Sequence, residues 1–370
     1  MFITKLISPF FIITMKIISS VVFILTLIAA YGGNINPDYL TLPSFLCLAF
    51  PYLAILSFLL TLFWIFRKKL IFTAFGTITI LLILSPLGVV FPTGHSKKAD
   101  PESSTFKIMS WNVLHTQDIR QPDYPGNRAV EYMVNSGADI ICLAEMKNFS
   151  YEIQKAPKSL KDSLFSIYPD SIGLASTGIQ VLSKYPVERI DKALIGNNND
   201  GGRYDFFKVS FPDKKELIVG MVHLYSFGLS ENERKVVTEI KSVETAKESM
   251  KEFRGPIRNK MRVAFRERAA NATSLREIID DLSPDVPLIV CGDFNDVPVS
   301  WTYNIVRGDD MKDAYVETNF GPAITYNLHA FYFHIDQMLY RGPLKALDLT
   351  IGKIDSSDHY PLIGEFQFDK

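Results

Sequence analysis

The chain has 370 residues, of which 47% are hydrophobic and 21% are charged, and its formal net charge is −1. Apolar residues are concentrated in residues 1–91 and charges after residue 96. Without the seven basic and two acidic side chains of the first hundred positions, residues 101–370 hold 32 basic and 38 acidic side chains. This acidic balance argues against a dedicated nucleic-acid-binding protein. It does not exclude a nuclease, because an active-site metal also attracts phosphate.

The three cysteines, Cys47, Cys142 and Cys291, have neither the spacing of a disulfide framework nor that of a zinc site. Each lies in an apolar segment, so we interpret all three as small buried side chains. They therefore say little about the compartment.

Three apolar segments predict a transmembrane anchor within residues 1–91, with spans at about 17–31, 42–66 and 70–91. The first is short for a hydrocarbon core of about 30 Å. A cleaved signal peptide is the alternative for it, but two more spans follow, which favours retention.

The basic residues predict the orientation of this anchor. Lys5 and Lys16 precede or begin the first span and Arg67–Lys69 fill the loop after the second, whereas the loop between these spans has no basic residue. The positive-inside rule then places the N-terminus in the cytoplasm and everything after the third span outside it, although Lys97 and Lys98 oppose this. The polar residues within the spans are only Ser and Thr, which predicts a plain anchor without an ion path.

Residues 92–104 are interpreted as a polar linker, and residues 105–370 as a globular domain. The predicted strand Phe106–Asn112 ends in an amide that could position a metal or a phosphate, although Asn is also a common turn former. After a predicted helix at Arg128–Ser136, the strand Asp139–Glu145 ends in an acid. A carboxylate there is costly unless it is exposed or bound to a cation, so Glu145 is a candidate metal ligand.

Further strands are predicted at Gly178–Ser183, Tyr204–Ser210 and Leu217–Leu224, with a polar loop at 197–202. His223 lies near the end of the last strand, where a purely structural hydrogen bond is the alternative to a catalytic role. Residues 231–268 have a helical, charge-rich pattern. The basic segment at 251–268 could contact a phosphate-rich substrate or an anionic membrane surface, or could be a solvated helix face.

The apolar run that starts at Leu288 predicts a strand buried on both faces, which Gly292 ends. Asp293 and Asn295 follow two residues apart, and in an extended segment such residues point to the same side. Asp293 could then orient or deprotonate a water molecule, and Asn295 could donate to an anionic oxygen. A strand followed by an ordinary Asp/Asn turn is the alternative.

Two more strands are predicted at Ala323–Tyr326 and His334–Tyr340, and the second contains Asp336. An acid inside an apolar strand needs a partner. The segment after residue 355 offers His359, which Asp336 could orient and stabilise in its charged form, while Asp358 faces a metal.

Six short segments occur in an order that resembles the endonuclease/exonuclease/phosphatase superfamily, which includes DNase I-like nucleases, neutral sphingomyelinases and inositol-polyphosphate 5-phosphatases. The resemblance covers about residues 105–368. The segments are Trp-Asn-Val (111–113), Leu-Ala-Glu (143–145), Val-His-Leu (222–224), Gly-Asp-Phe-Asn (292–295), Ile-Asp-Gln-Met-Leu (335–339) and Ser-Asp-His-Tyr-Pro (357–361). The resemblance implies an α/β fold, a four-layer α/β sandwich in which two packed mixed β-sheets are flanked by helices.

The resemblance also implies a metal site. Glu145 would bind Mg²⁺ with Asn112 beside it, and Asp358 would support the site. Hard oxygen ligands fit Mg²⁺ better than Zn²⁺, with Mn²⁺ as an alternative ion.

By the same resemblance, Asp293 would orient or deprotonate the attacking water, while Asn295, His223 and His359 would hold the phosphoryl oxygens. The pair of Asp336 and His359 is the rival general base, and the sequence does not choose between them.

The chain departs from the family pattern at four positions. Ala144 and His334 stand where Gln and Arg are common, and Gln337 stands where Tyr is common. Leu114 occupies the place of an acid found in abasic-site endonucleases, which lowers the expectation of a role in DNA repair.

We therefore expect a membrane-anchored, Mg²⁺-dependent phosphoesterase that hydrolyses a phosphodiester or phosphomonoester outside the cytoplasm. Its partners would be the lipid bilayer, through residues 1–91, and a phosphate-ester substrate; no protein partner is predicted. The alternatives are an extracytoplasmic nuclease, a lipid head-group hydrolase similar to sphingomyelinases or phosphoinositide phosphatases, and a non-catalytic binding module.

Overall fold

The structure is a computed structural model that describes residues 9–121, 123–146, 148–174, 176–190, 203–230, 233, 253–328 and 331–369. The predicted loop at 197–202 and most of the predicted helical segment at 231–252 lie outside the described residues. All statements below concern the described part of the chain.

The N-terminal part is helical, with α1 at Pro9–Tyr31, a 3₁₀ turn at Gly32–Asn34, α2 at Leu42–Phe66, α3 at Leu70–Leu82 and α4 at Leu84–Val90. The segment Pro9–Asn34 and α2 are long and apolar enough to cross a membrane. The first helix starts before the predicted span, so it is not short. α3 and α4 form a third span only if they count as one, because they are bent by 56°.

Pro86 explains the break between α3 and α4. Proline has no N–H, so Pro86 cannot donate to the carbonyl oxygen of Leu82, four residues earlier. The hydroxyl of Tyr31 donates to that oxygen instead. This hydrogen bond satisfies the Leu82 carbonyl oxygen at the bend and ties α3 to the end of α1.

The rest of the chain alternates strands and helices. The strands are β1 Thr105–Asn112, β2 Ile140–Ala144, β3 Asp170–Leu174, β4 Ile179–Ser183, β5 Val187–Arg189, β6 Arg203–Ser210, β7 Glu216–His223, β8 Leu288–Asp293, β9 Lys312–Asp313, β10 Tyr326–Leu328, β11 Phe331–Phe333, β12 Asp336–Arg341, β13 Leu344–Ile351 and β14 Leu362–Phe368. The helices are α5 Arg128–Asn135, α6 Phe149–Gln154, α7 Lys158–Ile167, α8 Arg258–Asp281, α9 Trp301–Arg307 and α10 Ala314–Thr318, with a 3₁₀ turn at Leu114–Thr116 and a π turn at Phe253–Ile257.

Two mixed six-stranded sheets carry the fold. The first has the order β13-β14-β1-β2-β4-β3 and the second the order β5-β6-β7-β8-β12-β9. In the first sheet β1 runs parallel to β2 and antiparallel to β14. In the second, β8 runs parallel to β7 and antiparallel to β12. Each sheet therefore has at its centre a parallel pair of strands with one antiparallel strand beside it.

The sheets pack face to face around one buried apolar cluster that contains residues of both, including Cys142 and Cys291. These two free thiols interact across the sheets, and their contact together with burial raises the pKa of Cys142. The outer faces pack on α5 and α7 in one case and on α8 and α9 in the other. The predicted four-layer α/β sandwich is confirmed.

The predicted strand at Ala323–Tyr326 is wrong except for its last residue. Thr325 instead lies before β10, and its hydroxyl accepts hydrogen bonds from the backbone N–H groups of Ile335 and Asp336, each at 3.0 Å. These two hydrogen bonds position the start of β12.

The segment 92–104, interpreted as a linker, lies along the sandwich. Thr93 pairs with Phe320 as an isolated β-bridge, and the backbone N–H of Lys97 donates to the carbonyl oxygen of Leu347 at 2.7 Å. This strap joins the N-terminal helices to the sheets by fixed contacts.

A second contact between the two parts lies at Gly33. A β-carbon added there would stand 2.1 Å from the carbonyl oxygen of Val299 and 2.6 Å from the carbonyl carbon of Ser300. Such distances are possible only for glycine, so the turn after α1 is seated directly on the loop that follows β8.

We predict that Gly33→Ala separates this contact and lowers the stability of the full-length protein by about 1–3 kcal/mol, because the added methyl group must displace backbone atoms. Thermal unfolding in detergent and hydrogen exchange of the Val297–Ser300 loop would measure it. Gly88→Ala is the matched control, since an added β-carbon there has nothing within 4 Å. Equal melting temperatures for the two variants would contradict the prediction.

Candidate active site

The predicted site residues meet at one end of the central strands of both sheets. Parallel strands β1 and β2 end on the same side of the first sheet, and β7 and β8 end on the same side of the second. The antiparallel neighbours β12 and β14 begin there. The residues at these points are Asn112 at the end of β1, Glu145 just after β2, His223 at the end of β7, Asp293 at the end of β8, Asp336 at the start of β12 and His359 before β14.

Asn112 connects the two sheets at this point. Its side-chain N–H group donates to Glu145 Oε1 at 3.1 Å and to Asp293 Oδ2 at 3.2 Å. Its amide oxygen accepts from the backbone N–H of Leu114 at 3.2 Å. Two carboxylates from different sheets are thus held together by one amide, and among the described residues no Lys or Arg lies within ion-pair distance of either.

His223 faces the same two carboxylates, with Nε2 3.5 Å from Glu145 Oε1 and 3.9 Å from Asp293 Oδ2. Burial lowers the pKa of His223 even though both carboxylates act in the opposite direction. We therefore expect a neutral imidazole here. Its Nδ1 is buried and has no hydrogen-bond partner among the described residues.

The pKa of His359 is shifted in the opposite direction. Its Nδ1 lies 2.8 Å from Asp336 Oδ2 and its Nε2 3.6 Å from Asp293 Oδ2. Burial alone would lower the pKa of this histidine, but the charges of Asp336 and Asp293 outweigh it and raise the pKa to about 10. His359 is therefore a buried imidazolium at neutral pH.

Asp293 and Asn295 share one side, as predicted, but the predicted reason is wrong. Asn295 is not extended, since its φ is 53°. Instead, its backbone N–H donates to Asp293 Oδ1 at 2.8 Å and its side-chain amide donates to Asp293 Oδ2 at 3.1 Å. A side-chain-capped turn brings the two residues together. Gly292 allows it, because its φ is +137° and an added β-carbon would stand 2.0 Å from the carbonyl oxygen of Val222.

Burial raises the pKa of Asp293 to about 6, and the nearby charge of Asp336 acts in the same direction. The histidines and the N–H of Asn295 oppose this shift. The carboxyl group is thus ionised at neutral pH, yet it is a stronger base than an ordinary Asp.

Two groups of side chains at the site could hold a metal. Ligand atoms of Asp293, Asp336 and His359 lie within 4.8 Å of one another. However, one ring nitrogen of His359 faces Asp336 and the other faces Asp293. This geometry is typical of a chain of polar contacts and not of three ligands around one ion. The oxygen donors of Glu145 and Asp293, with the amide of Asn112 between them, fit a hard divalent cation better, because two neighbouring carboxylates lack a compensating Lys or Arg. Rotation of the Asn112 amide would present its oxygen.

Asp358 lies at the cavity, and three of the departures from the family pattern, Ala144, His334 and Gln337, are buried. Asp358 lines the cavity at the site, and Ser357 Oγ lies 3.4 Å from its Oδ1; its support of a metal stays a prediction. His334 is buried with its ring edge-on to Tyr315, and burial lowers its pKa to about 4. Gln337 and Ala144 are also buried.

Arg268 was predicted as part of an exposed basic segment, and for this residue the prediction is wrong. Its side chain is fully buried, with Nε 3.3 Å from Asp296 Oδ2. Its guanidinium lies over the ring of Phe227, 4.3 Å from the ring centroid. It thus supports the loop after Asp293. Arg258 and Arg262 of the same segment are exposed and line the cavity.

Two family models match parts of this chain. The model of the family described as "Endonuclease/Exonuclease/phosphatase family" matches residues 109–359, and a model described as "Domain of unknown function (DUF8431)" matches residues 10–90. A search of curated proteins found no match.

Solved structures similar to this chain include three with low sequence identity. The human Nocturnin catalytic domain with bound sulfate anion is 15% identical with a TM-score of 0.48, and the match covers 71% of this chain and 94% of that one. Humanized D. rerio TDP2 is 16% identical with a TM-score of 0.48, covering 71% and 99% of the two chains. An endonuclease/exonuclease/phosphatase family protein from Bacteroides thetaiotaomicron is 15% identical with a TM-score of 0.48, covering 72% and 96%.

We predict that Asp336→Asn lowers the pKa of His359 well below its value of about 10, because the variant removes the largest carboxylate effect on this pKa and leaves Asp293 and Asp358 alone to oppose burial. NMR titration of selectively labelled histidine in metal-free full-length protein would measure the shift, with His359→Ala to assign the signal. Asp355→Asn is the control, since Asp355 pairs with Arg128 outside the site. A His359 pKa unchanged in Asp336→Asn would contradict the assignment.

Proposed function

We propose, because the chain belongs to the Endonuclease/Exonuclease/phosphatase family of phosphoric ester hydrolases, that it is a membrane-anchored, Mg²⁺-dependent phosphoesterase with its catalytic part outside the cytoplasm. The observation that carries this proposal is the position of Asp293. This one buried carboxylate is in contact with Asn112 and Asn295 and faces His223 and His359.

The reaction is hydrolysis of a phosphoric ester. The oxygen of water bonds to phosphorus, the bond from phosphorus to the leaving oxygen breaks, one proton of the water passes to a base and one proton ends on the leaving oxygen. Asp293 and the Asp336–His359 pair are the two candidate bases. Asp293 is favoured, because a carboxyl group with a pKa of about 6 is ionised and basic at neutral pH.

His359 suits a different task. A histidine whose pKa is about 10 already carries its proton at neutral pH and cannot accept another. Its imidazolium would hold a phosphoryl oxygen as negative charge develops there, with Asp336 fixing the ring. The neutral His223 would donate to a remaining oxygen, and the amide of Asn295 would do so by exchanging one of its two acceptors, Asp293 Oδ2 or the carbonyl oxygen of Leu224.

Glu145 and Asn112, next to Asp293, would hold Mg²⁺, or Mn²⁺ in its place, with Asp358 in support. When bound, this ion would supply positive charge to the phosphoryl group and the leaving oxygen. The two carboxylates that Asn112 bridges support this assignment, since a divalent ion would offset their mutual repulsion.

The predicted orientation is supported by where the basic residues lie on the helices. Lys16 lies over the ring of Phe72 at 5.8 Å, near Arg67–Lys69, so these charges gather at one end of the helical part. The other end, which includes Ala30 and Ile83, packs with Val299 of the catalytic part. With the positive end in the cytoplasm, the sandwich would lie outside it.

We predict that Glu145→Gln weakens Mg²⁺ or Mn²⁺ binding by about 10–100-fold, because a carboxylate ligand loses its charge. Calorimetric titration of the full-length protein with each metal would measure this without any substrate. Glu188→Gln is the control, since Glu188 is a largely exposed acid outside the site. Unchanged binding in Glu145→Gln would remove Glu145 from the metal site.

We also predict that Asp293→Asn lowers kcat for bis(4-nitrophenyl) phosphate by about a thousandfold, because the base is lost. Turnover with Mg²⁺ or with EDTA would be compared in the wild-type protein. If EDTA leaves the wild-type rate intact, or the variant keeps its rate, the proposed chemistry is wrong.

A further inference from the structure

The cavity that opens on Asp293 and His359 has a volume of about 960 Å³ and is not formed by the sandwich alone. One of its walls consists of Leu40 and Leu42 together with Phe45 and Leu48 of α2. The membrane part of the chain therefore supplies part of the surface that surrounds the candidate active site. Nothing in the sequence indicated this wall, which lies about a hundred or more residues from every catalytic candidate except Asn112.

The cavity is apolar away from its catalytic end. Phe227 and Met261 belong to one apolar cluster with Phe45 and Leu48, and Phe333 and Ile335 to another with Leu48. The acidic residues of the lining and His359 belong to the candidate site, and Arg258 and Arg262 add positive charge on α8, beside Met261. A cavity that joins a phosphate-binding site to a largely apolar lining matches a molecule that has both a phosphate and an apolar chain.

The wall from α2 is firmly seated against the sandwich. Phe45 packs edge-on against Phe265 of α8 with ring centroids 5.0 Å apart. The thiol of Cys47 lies 3.7 Å from the carbonyl oxygen of Val299. These contacts hold the first turns of α2 beside the catalytic residues.

The same wall is continuous with the surface that faces lipid. The exposed fractions of Leu40 and Leu42 are 51% and 59%, and α2 continues from there as an apolar helix that is long enough to cross a membrane. Tyr39, exposed to 88%, lies beside them as a side chain suited to the membrane–water interface. An acyl chain could pass from the bilayer along α2 into the cavity without crossing water, so its transfer would cost little.

We propose that the substrate is a membrane phospholipid, with its phosphate at Asp293 and His359 and an acyl chain against Leu42, Phe45 and Leu48. This inference rests on the proposed function and names its substrate class. The exposed Arg258 and Arg262 at the cavity lie where they can attract an anionic phospholipid. Among the described residues, Arg258 and Arg262 are the basic side chains that line the cavity, which disfavours a polynucleotide, because it needs a longer basic track for its phosphates.

The first test compares two forms of each phospholipid with the full-length protein and Mg²⁺. Phosphatidic acid, phosphatidylglycerol and phosphatidylethanolamine would be used as dioleoyl lipids in vesicles and as water-soluble dibutanoyl lipids, with bis(4-nitrophenyl) phosphate and single-stranded DNA alongside. For at least one head group we expect a kcat/KM about a hundredfold higher for the dioleoyl form, since its chains gain apolar contacts.

The second test removes the apolar wall. In the double variant Leu40→Ser/Leu42→Ser, the ratio of dioleoyl to dibutanoyl rates should fall about tenfold, and Leu40→Ile/Leu42→Ile should keep it. Tyr39→Ser is the matched control, because Tyr39 belongs to the same loop and is more exposed but does not line the cavity. Native mass spectrometry of Asp293→Asn protein should detect a bound phospholipid that the double Ser variant loses.

The outcomes separate this inference from the proposed function. Metal-dependent hydrolysis of bis(4-nitrophenyl) phosphate with no preference for dioleoyl lipids, or with an unchanged ratio in the double Ser variant, would overturn the phospholipid proposal and leave the phosphoesterase intact. A clear preference for single-stranded DNA would also overturn it. Absence of hydrolysis with every probe would overturn the proposed function itself.

Discussion

A buried carboxylate between two sheets is the constraint on which this molecule depends. Asp293 lies 2% exposed at the end of a core strand, and an ionised group there is unfavourable unless it is paired or hydrogen-bonded. Asn295 donates to it from the following turn, Asn112 donates from the other sheet, and the His359 imidazolium faces it. Because these partners come from both sheets, the site exists only when the sandwich has packed.

The repeated arrangement of three strands explains why so many polar groups reach one place. Each sheet has a parallel pair of strands next to an antiparallel strand, so two strands end and one begins at the same end of the sheet. The direct pairing of Asp293 with both His223 and Asp336 follows from the register of β7, β8 and β12. Polar side chains at these positions leave the apolar interior undisturbed, which lets a reactive site coexist with a close-packed core.

The two histidines of the site differ because their surroundings differ. His223 lies between carboxylates that are too distant to outweigh burial, whereas His359 forms a 2.8 Å contact with Asp336 and is held as a cation. The pKa values of two residues of the same type are therefore shifted in opposite directions, down for His223 and up for His359.

The apolar N-terminal helices and the sandwich are joined by contacts rather than by a loose connection. The loop after β8 carries Asn295 at one end and Val299 at the other, so the segment that completes the site also receives Gly33 and Cys47 of the helical part. These contacts place the first turns of α2 beside the candidate active site.

The sequence by itself determined the apolar N-terminal helices and the types of residue at the strand ends, while the fold class came from the resemblance of its motifs to a known family. The first two properties depend on neighbours along the chain, because an apolar run followed by Asp, Asn or His is visible without knowing what surrounds it. Only the tertiary structure decided that Asn295 reaches Asp293 through a turn, that Arg268 is buried and that α2 lines the cavity. Those features arise where segments distant along the chain pack together, and packing distances and burial are not encoded in any local pattern.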